Sequence, residues 1–473
     1  MTRVVIIGGG PGGYEAALVG AQLGADVTVV DRDGLGGSAV LTDCVPSKTL
    51  IATAELMTEV RGSGELGVRF AADQVVGDPV SVGAASVDAA SVDLAVVNAR
   101  VRTLAASQSA DVARQLDNAG VRVVSGTGRL DGLETVVVAR ADGSEERVDA
   151  DAVLLATGAH PRVLPTAVPD GERILTWEQV YGLAELPERL IVVGSGVTGA
   201  EFASGYNALG ADVVLVSSRD RVLPGEDSDA AQVLEDVLKR RGMTVLARSR
   251  AASVVRVGDT VRVTLVGGAE VVGSHCLLAV GSEPNTAGMG LEESGVRLGD
   301  DGYVAVDGVS RTSARGVYAA GDCTGVLMLA SVAAMQGRIA MWHFLGDAVS
   351  PLDLKAVSSN VFTAPEIATV GWTQNEVDAG QIDAVGVMLP LAGNARAKMQ
   401  GVRDGFVKLF CRPGTGIVVG GVVVGPRASE LIHPVSVAVE GRLTVDQLAH
   451  AFSVYPSISG SIAEAARRLH TRG

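Results

Sequence analysis

The first strong hydrophobic signal is the unbroken apolar run Val4-Val5-Ile6-Ile7. Such a run reads as a strand buried on both faces of a parallel sheet. Gly8-Gly9-Gly10-Pro11-Gly12-Gly13 interrupts it, and an apolar helix is expected over 14–23. Val27-Thr28-Val29-Val30 is the next strand and ends in Asp31. The same order returns later: Leu190-Ile191-Val192-Val193, then Gly194-Ser195-Gly196-Val197-Thr198-Gly199, an apolar helix, and the strand Val213-Val214-Leu215-Val216. This internal repeat is the main organising feature of the chain.

The rest of the pattern is read around the repeat. A helix is expected over 49–61, and a polar–apolar helical stretch over 84–120 with its core at 93–119. Residues 121–148 read as a β region, with Gly126-Thr127-Gly128 at one junction. A strand over 151–158 ends in the small residues Ala156, Thr157 and Gly158. A helix follows over 329–345. After Pro351 the character changes, and 361–371 and 420–429 read as strands.

Each G-x-G-x-x-G lies between a strand and a helix, and that context points to dinucleotide binding. Glycines let the backbone approach a pyrophosphate, and the helix N-terminus faces its charge. The loop residues Gly8, Gly10, Pro11, Gly12 and Gly13 are expected to bind one dinucleotide, with Asp31 on its ribose hydroxyls. Gly194, Gly196, Val197, Thr198 and Gly199 are expected to bind a second. After the second unit the chain reads Ser217-Ser218-Arg219. An acid at Ser217 would suit NAD; two hydroxyls and a cation suit a 2′-phosphate, so NADPH, or use of both nucleotides, is expected.

Composition narrows the function classes. A chain of 473 residues, 47% hydrophobic and 20% charged, holds material for about three domains. Its net charge of −15, without a lysine/arginine block, disfavours nucleic acid and mostly serves solubility. Cys44, Cys276, Cys323 and Cys411 are scattered without metal-ligand spacing, which suits a reducing cytoplasm and argues against a metal site. The apolar stretch 417–425 is far shorter than the roughly 20 residues of a spanning helix, so no membrane segment is expected.

The segment Gly36-Gly37-Ser38-Ala39-Val40-Leu41-Thr42-Asp43-Cys44-Val45-Pro46-Ser47-Lys48 resembles the redox-active segment of the flavoprotein pyridine nucleotide–disulfide oxidoreductases. In that family two cysteines form the redox disulfide. Here the second is Cys44, and Ala39 stands at the first. The family's C-terminal H-P-x-x-x-E is matched by Tyr455-Pro456-Ser457-Ile458-Ser459-Gly460, without the histidine or the glutamate. A dithiol relay needs two sulfurs and a base. Within the family, which includes the dihydrolipoamide dehydrogenases, these departures resemble the bacterial NAD(P)H:quinone reductases.

The resemblance implies an α/β fold of two Rossmann-like domains, one for FAD and one for NAD(P), plus a C-terminal α+β dimerisation domain. The expected boundaries are 1–158 and 285–350 for FAD, 159–284 for NAD(P) and 351–473 for the interface. It implies further cofactor contacts at Gly37, Ser38, Lys48, Gly126, Ala156, Thr157, Gly158 and Ala330, at Asp322 on the ribityl chain, and at Gly281. Lys48 and Glu201 would serve flavin N5, where hydride arrives. Tyr455 of one chain would reach a quinone beside its partner's flavin in a homodimer. Electrons would then pass from NADPH, or NADH, through FAD directly to a quinone. A transhydrogenase, a lipoamide-type diaphorase and a flavin-loaded regulatory subunit are the rival expectations. His433 and His450 are read as structural, as is Cys44.

Overall fold

The computed structural model describes residues 1–68 and 91–470, which fall in two compact units. Residues 84–90 of the expected helical stretch lie outside the described residues.

The first unit comprises Met1–Thr49, Ala99–Arg162 and Gly281–Asp353. Its centre is a five-stranded parallel sheet in the order Val317–Ala319, Ala152–Leu155, Arg3–Ile7, Asp26–Asp31, Arg122–Ser125. The first apolar run is the middle strand, hence its lack of polar positions. Alternate side chains serve two cores. Val5, Ile7, Val30 and Val153 face the side that includes the three-stranded sheet Thr127–Leu130, Thr135–Ala139 and Glu145–Asp149. Val4, Ile6, Val27 and Val29 pack with Ala16 and Ala17 of the helix Pro11–Gln22 and with Met341 of the helix Ala330–Leu345. Those helices approach so closely that a Cβ on Gly337 would lie 2.1 Å from the Gly12 carbonyl oxygen.

Two helices start earlier than the periodicity suggests. The helix expected over 14–23 starts at Pro11, and the one expected over 49–61 starts at Cys44 and runs to Gly62. Both carry a proline in the first turn, where no amide hydrogen is needed. A short helix, Gly37–Leu41, precedes the second.

The second unit comprises Leu50–Asn98, Val163–Val280 and Leu354–Gly473. It contains a second parallel sheet, in the order Thr244–Leu246, Asp212–Val216, Arg189–Val193, His275–Leu278, Ile174–Thr176. The repeated apolar run is again central. An antiparallel sheet follows the order Ser358–Val361, Glu366–Gly371, Val418–Gly425, Phe406–Cys411, Val385–Pro390. The strand expected over 420–429 ends at Gly425, and Ala428–Leu431 is helical. Helix Gly460–His470 buries Ile462, Ala465, Ala466 and Leu469, one face at helical spacing. Lys408, buried in a central strand, bonds Asp227 at 2.8 Å and Asp229 at 2.7 Å. Asp227 also caps the helix Ser228–Arg240, so one ion cluster joins the antiparallel sheet to that helix.

Candidate active site

The two glycine loops have the same construction. Gly8 has φ +108°, and a Cβ there would lie 2.1 Å from the Ala156 carbonyl oxygen. Gly194 has φ +113°, and its Cβ would lie 2.0 Å from the Ala279 carbonyl oxygen. A Cβ on Gly13 would strike the Gly8 oxygen at 1.9 Å, and one on Gly199 would strike the Gly194 oxygen at 1.9 Å. No side chain is admitted at any of the four. Gly10 and Gly196 precede their helices in extended backbone, without a side-chain cap. A Cβ on Gly10 would meet nothing nearer than Gly37 Cα at 3.9 Å, and one on Gly196 nothing within 4 Å. Both helix starts are therefore open on the face where a pyrophosphate would lie.

The residues after the second strand of each unit differ. Asp31 Oδ2 accepts the Gly9 N–H at 2.7 Å, and Oδ1 accepts the N–H groups of Asp33 and Gly34 at 2.9 and 2.6 Å. Three of roughly four acceptor sites on the carboxylate are used, leaving one for a hydroxyl. The acid read as a ribose ligand is also the brace of its own loop. In the second unit Ser217 is fully buried and pairs with Ser195 Oγ at 2.7 Å, while its hydroxyl accepts the Arg219 N–H at 3.1 Å. The hydroxyl expected at a 2′-phosphate is thus turned into the loop, because Ser195 needs a buried partner. Ser218 and Arg219 are exposed.

The Arg248 N–H donates to the Arg219 carbonyl at 2.6 Å, and the Ser249 N–H to Ser217 at 2.7 Å. Arg248 is exposed, with φ +52°. Two guanidinium-bearing segments are therefore adjacent at the carboxyl end of this sheet. Sequence reading missed Arg248, although Arg248-Ser249-Arg250, just after a strand of the repeat unit, was a visible signal.

Cys44 begins a helix and is half-buried, and Lys48 lies one turn further on. The position matching the absent sulfur, Ala39, lies in helix Gly37–Leu41. None of the four cysteines is in a disulfide. Cys276 and Cys323 are fully buried; burial pushes both thiols up, that of Cys323 to about 11, so neither serves as a thiolate. Glu201 is buried in helix Val197–Leu209, and its Oε1 accepts the Phe362 N–H at 2.9 Å. Lys48 belongs to the first unit and Glu201 to the second. Gly281 opens the return to the first unit with φ +100° and accepts the Arg162 N–H at 3.0 Å.

Asp322 follows Gly321, whose N–H donates to buried Gln336 at 2.8 Å. Burial, and then the charge of Asp43, push its carboxyl up to about 6. It accepts no hydrogen bond from the described residues. At the far end of the chain Tyr455 is 86% exposed, and Phe452 and Val454 beside it are exposed as well. Tyr455, Asn394, Arg396 and Arg468 line a cleft of about 420 Å³ in the second unit. Among the described residues no cluster of His, Cys, Asp or Glu could hold a metal, and no helix is long and apolar enough to cross a membrane.

A family model described as pyridine nucleotide-disulphide oxidoreductase matches residues 2–337, and that family's dimerisation domain matches 357–466. The chain belongs to this family. It is 56% identical to a Mycobacterium tuberculosis protein named NAD(P)H dehydrogenase (quinone), over 99% of this chain and 94% of that one. It is 33% identical to a dihydrolipoyl dehydrogenase of Haloarcula marismortui, over 100% of this chain and 98% of that one. The crystal structure of LpdA from M. tuberculosis superposes with a TM-score of 0.92 at 55% identity, covering 99% of this chain and 100% of that one. The two-Rossmann architecture with a C-terminal dimerisation domain is therefore as the resemblance implied.

The family uses FAD and NAD(P)H. The first unit fits FAD on two observations: the open face at Gly10 is a cradle that a side chain would fill, and the half-buried carboxyl of Asp322 has no donor among the described residues. An acid whose folded-state pKa exceeds its unfolded value of 3.8 holds its proton in the native state while the unfolded chain has lost it. Stability therefore falls as pH rises between about 4 and 6 and stays reduced above that. Asp322→Asn is expected to stabilise the FAD-free protein at pH 7.5, by on the order of 2 kcal/mol, but not at pH 4. It is also expected to weaken FAD binding. Urea melts at both pH values and an FAD titration check this.

Proposed function

We propose that this protein is an FAD-dependent NAD(P)H:quinone oxidoreductase that works without a redox disulfide. The observation that carries the reading is Ala39 ahead of Cys44: one sulfur is kept where a dithiol relay requires two. The 56% identical relative, named for quinone reduction, supports it. The balance is NAD(P)H + H⁺ + quinone → NAD(P)⁺ + hydroquinone. FAD, when bound, supplies a two-electron carrier between nicotinamide and quinone.

This chain's residues supply the binding and the charges. Gly8, Gly10, Gly12, Gly13 and Asp31 hold FAD by its pyrophosphate and ribose, aided by Pro11, Gly37, Ser38, Gly126, Ala156, Thr157 and Gly158. Asp322 would take ribityl hydroxyls, and the uncapped helix starting at Ala330 would offer its positive end to the reduced flavin. Gly194, Gly196, Val197, Thr198 and Gly199 hold the nicotinamide nucleotide, with Gly281 as a backbone contact. Lys48 and Glu201 set the charge where hydride is delivered. Tyr455, held out from the surface, donates a hydrogen bond to the quinone bound by its partner chain. The exposed Phe452, Val454 and Tyr455 form an apolar patch that a second copy covers, giving a homodimer. Cysteines outside any disulfide fit a cytoplasmic protein.

The nucleotide is NADPH by preference. Ser217 brings no negative charge to the ribose, while Arg219 and Arg248 bring two exposed cations. Arg219→Ala and Arg248→Ala are each expected to raise KM for NADPH about ten- to a hundredfold, the worth of one charged hydrogen bond, and to leave KM for NADH unchanged.

Steady-state kinetics with NADPH against a menadione-type quinone, lipoamide and NAD⁺ test the function. Quinone should turn over fastest. Lipoamide turnover rivalling it would overturn the reading, and faster transfer to NAD⁺ would make the protein a transhydrogenase.

A further inference from the structure

An irregular arm, residues 451–459, joins helix Val445–His450 to helix Gly460–His470. Among the described residues the backbone of 452–456 makes no hydrogen bond, and the side chains of Phe452, Val454 and Tyr455 are exposed. Such a segment takes its position from the place where it is tied down. The tie is Asn394. Its Nδ2 donates to the Ser457 carbonyl at 3.0 Å and to Ser461 Oγ at 2.9 Å. Its Oδ1 accepts the N–H groups of Arg396 and Ala397 at 2.8 and 3.1 Å and so caps helix Ala395–Met399. Leu391 and Ala397, which flank it, are buried in one core with strands of the antiparallel sheet.

Capping alone does not call for an amide, since aspartate or serine caps a helix as well. What the amide adds is the pair of N–H groups turned toward the arm. With both donors and both lone pairs in use, Asn394 has nothing left to offer a ligand of its own. Any effect on the reaction must pass through what it holds.

Tyr455 stands two residues before Ser457, and Tyr455 and Asn394 line the same cleft of about 420 Å³. A phenol makes or misses a hydrogen bond over a fraction of an ångström, and an arm without bonds of its own cannot fix it that closely. We propose that Asn394 is a positioning residue for Tyr455: by fastening the Ser457 carbonyl to the core, it sets where the phenol meets the quinone. This deepens, and rests on, the reading of Tyr455 as a hydrogen-bond donor to the quinone.

The test is a double-mutant cycle on the full FAD-loaded chain, read by stopped-flow absorbance of the flavin. Asn394→Asp keeps an oxygen for the helix cap and removes both donors to the arm. Asn394→Ser caps without a charge and is expected to match it. After reduction by one equivalent of NADPH, a menadione-type quinone is expected to reoxidise the flavin about tenfold more slowly in Tyr455→Phe, the worth of one hydrogen bond, and about as slowly in each Asn394 variant. Adding Tyr455→Phe to Asn394→Asp should cost nothing more, because a hydroxyl already lost cannot be misplaced. Bleaching by NADPH should be unchanged throughout, whereas a merely structural asparagine would slow both half-reactions or neither. Wild-type reoxidation in the Asn394 variants, a slowing in Asn394→Asp that Asn394→Ser does not share, or losses that multiply to about a hundredfold in the double variant would each overturn the proposal. Quinone that fails to reoxidise wild-type flavin overturns the functional reading and this inference with it. Wild-type reoxidation in Tyr455→Phe removes the role of Tyr455 and this inference, while quinone reduction stands.

Discussion

Gly199→Ala is expected to abolish productive NADPH binding, lowering kcat/KM by about 10³-fold or more, while the protein stays yellow. The added Cβ would lie 1.9 Å from the Gly194 carbonyl oxygen. That oxygen has little room to retreat: Gly194 has φ +113°, and its N–H donates to Val216 at 3.0 Å across the sheet. The first turn of helix Val197–Leu209 must move away from the loop, taking with it the amides that face the pyrophosphate. A 1 Å displacement of binding groups is enough for a hundredfold loss, and this clash forces more. The first loop is a separate copy of the construction, so FAD content should not change. Gly13→Ala, whose Cβ would meet the Gly8 oxygen at the same 1.9 Å, is the reciprocal control and should yield colourless protein. The flavin absorbance of the purified variants and NADPH-dependent bleaching read both outcomes. A Gly199→Ala protein with unchanged KM for NADPH would show that the second loop does not carry the nucleotide.

Lys48→Ala is expected to slow reduction of the bound flavin by NADPH about 10²- to 10³-fold, with FAD retained. Removing one preorganised charge from a reacting centre has that scale of effect. Lys48 is placed for such a role by helix Cys44–Gly62, which starts four residues before it and holds it half-buried. A positive charge kept but spread over a larger, planar guanidinium should recover part of the rate, so Lys48→Arg is expected to fall between wild type and Lys48→Ala. Stopped-flow absorbance of the flavin in single turnover separates this step from quinone reduction. If Lys48→Ala bleaches at the wild-type rate, the lysine has only a structural role.

The nucleotide units were legible because their physics is local. A buried apolar run, glycines at fixed offsets and a following helix are all encoded within about 30 residues, and the structure returns them at both places. The departures from the dithiol pattern were legible for the same reason: Ala39, Tyr455 and Gly460 are single positions in recognisable segments. What local reading misjudged lay at boundaries and in side-chain direction. Helices begin at Pro11 and at Cys44, earlier than the hydrophobic period indicates, since a proline reads as a breaker in a pattern and as a starter in a first turn. Ser217 looked like a ligand because it stands where an acid would, but its hydroxyl is taken by Ser195, 22 residues away in the chain.

The chain's own order of residues determined that there would be two dinucleotide loops, that one sulfur would be absent, and that a third, antiparallel region would follow residue 351. Those properties depend on backbone sterics and residue chemistry over short spans. Only the folded structure decided which groups share a surface: Arg248 beside Arg219, Asp31 bonded to its own loop, and Glu201 to the Phe362 amide. Each of these depends on strands brought side by side from distant parts of the chain. A hydrogen bond is made or missed over a fraction of an ångström, which no pattern of residue types specifies.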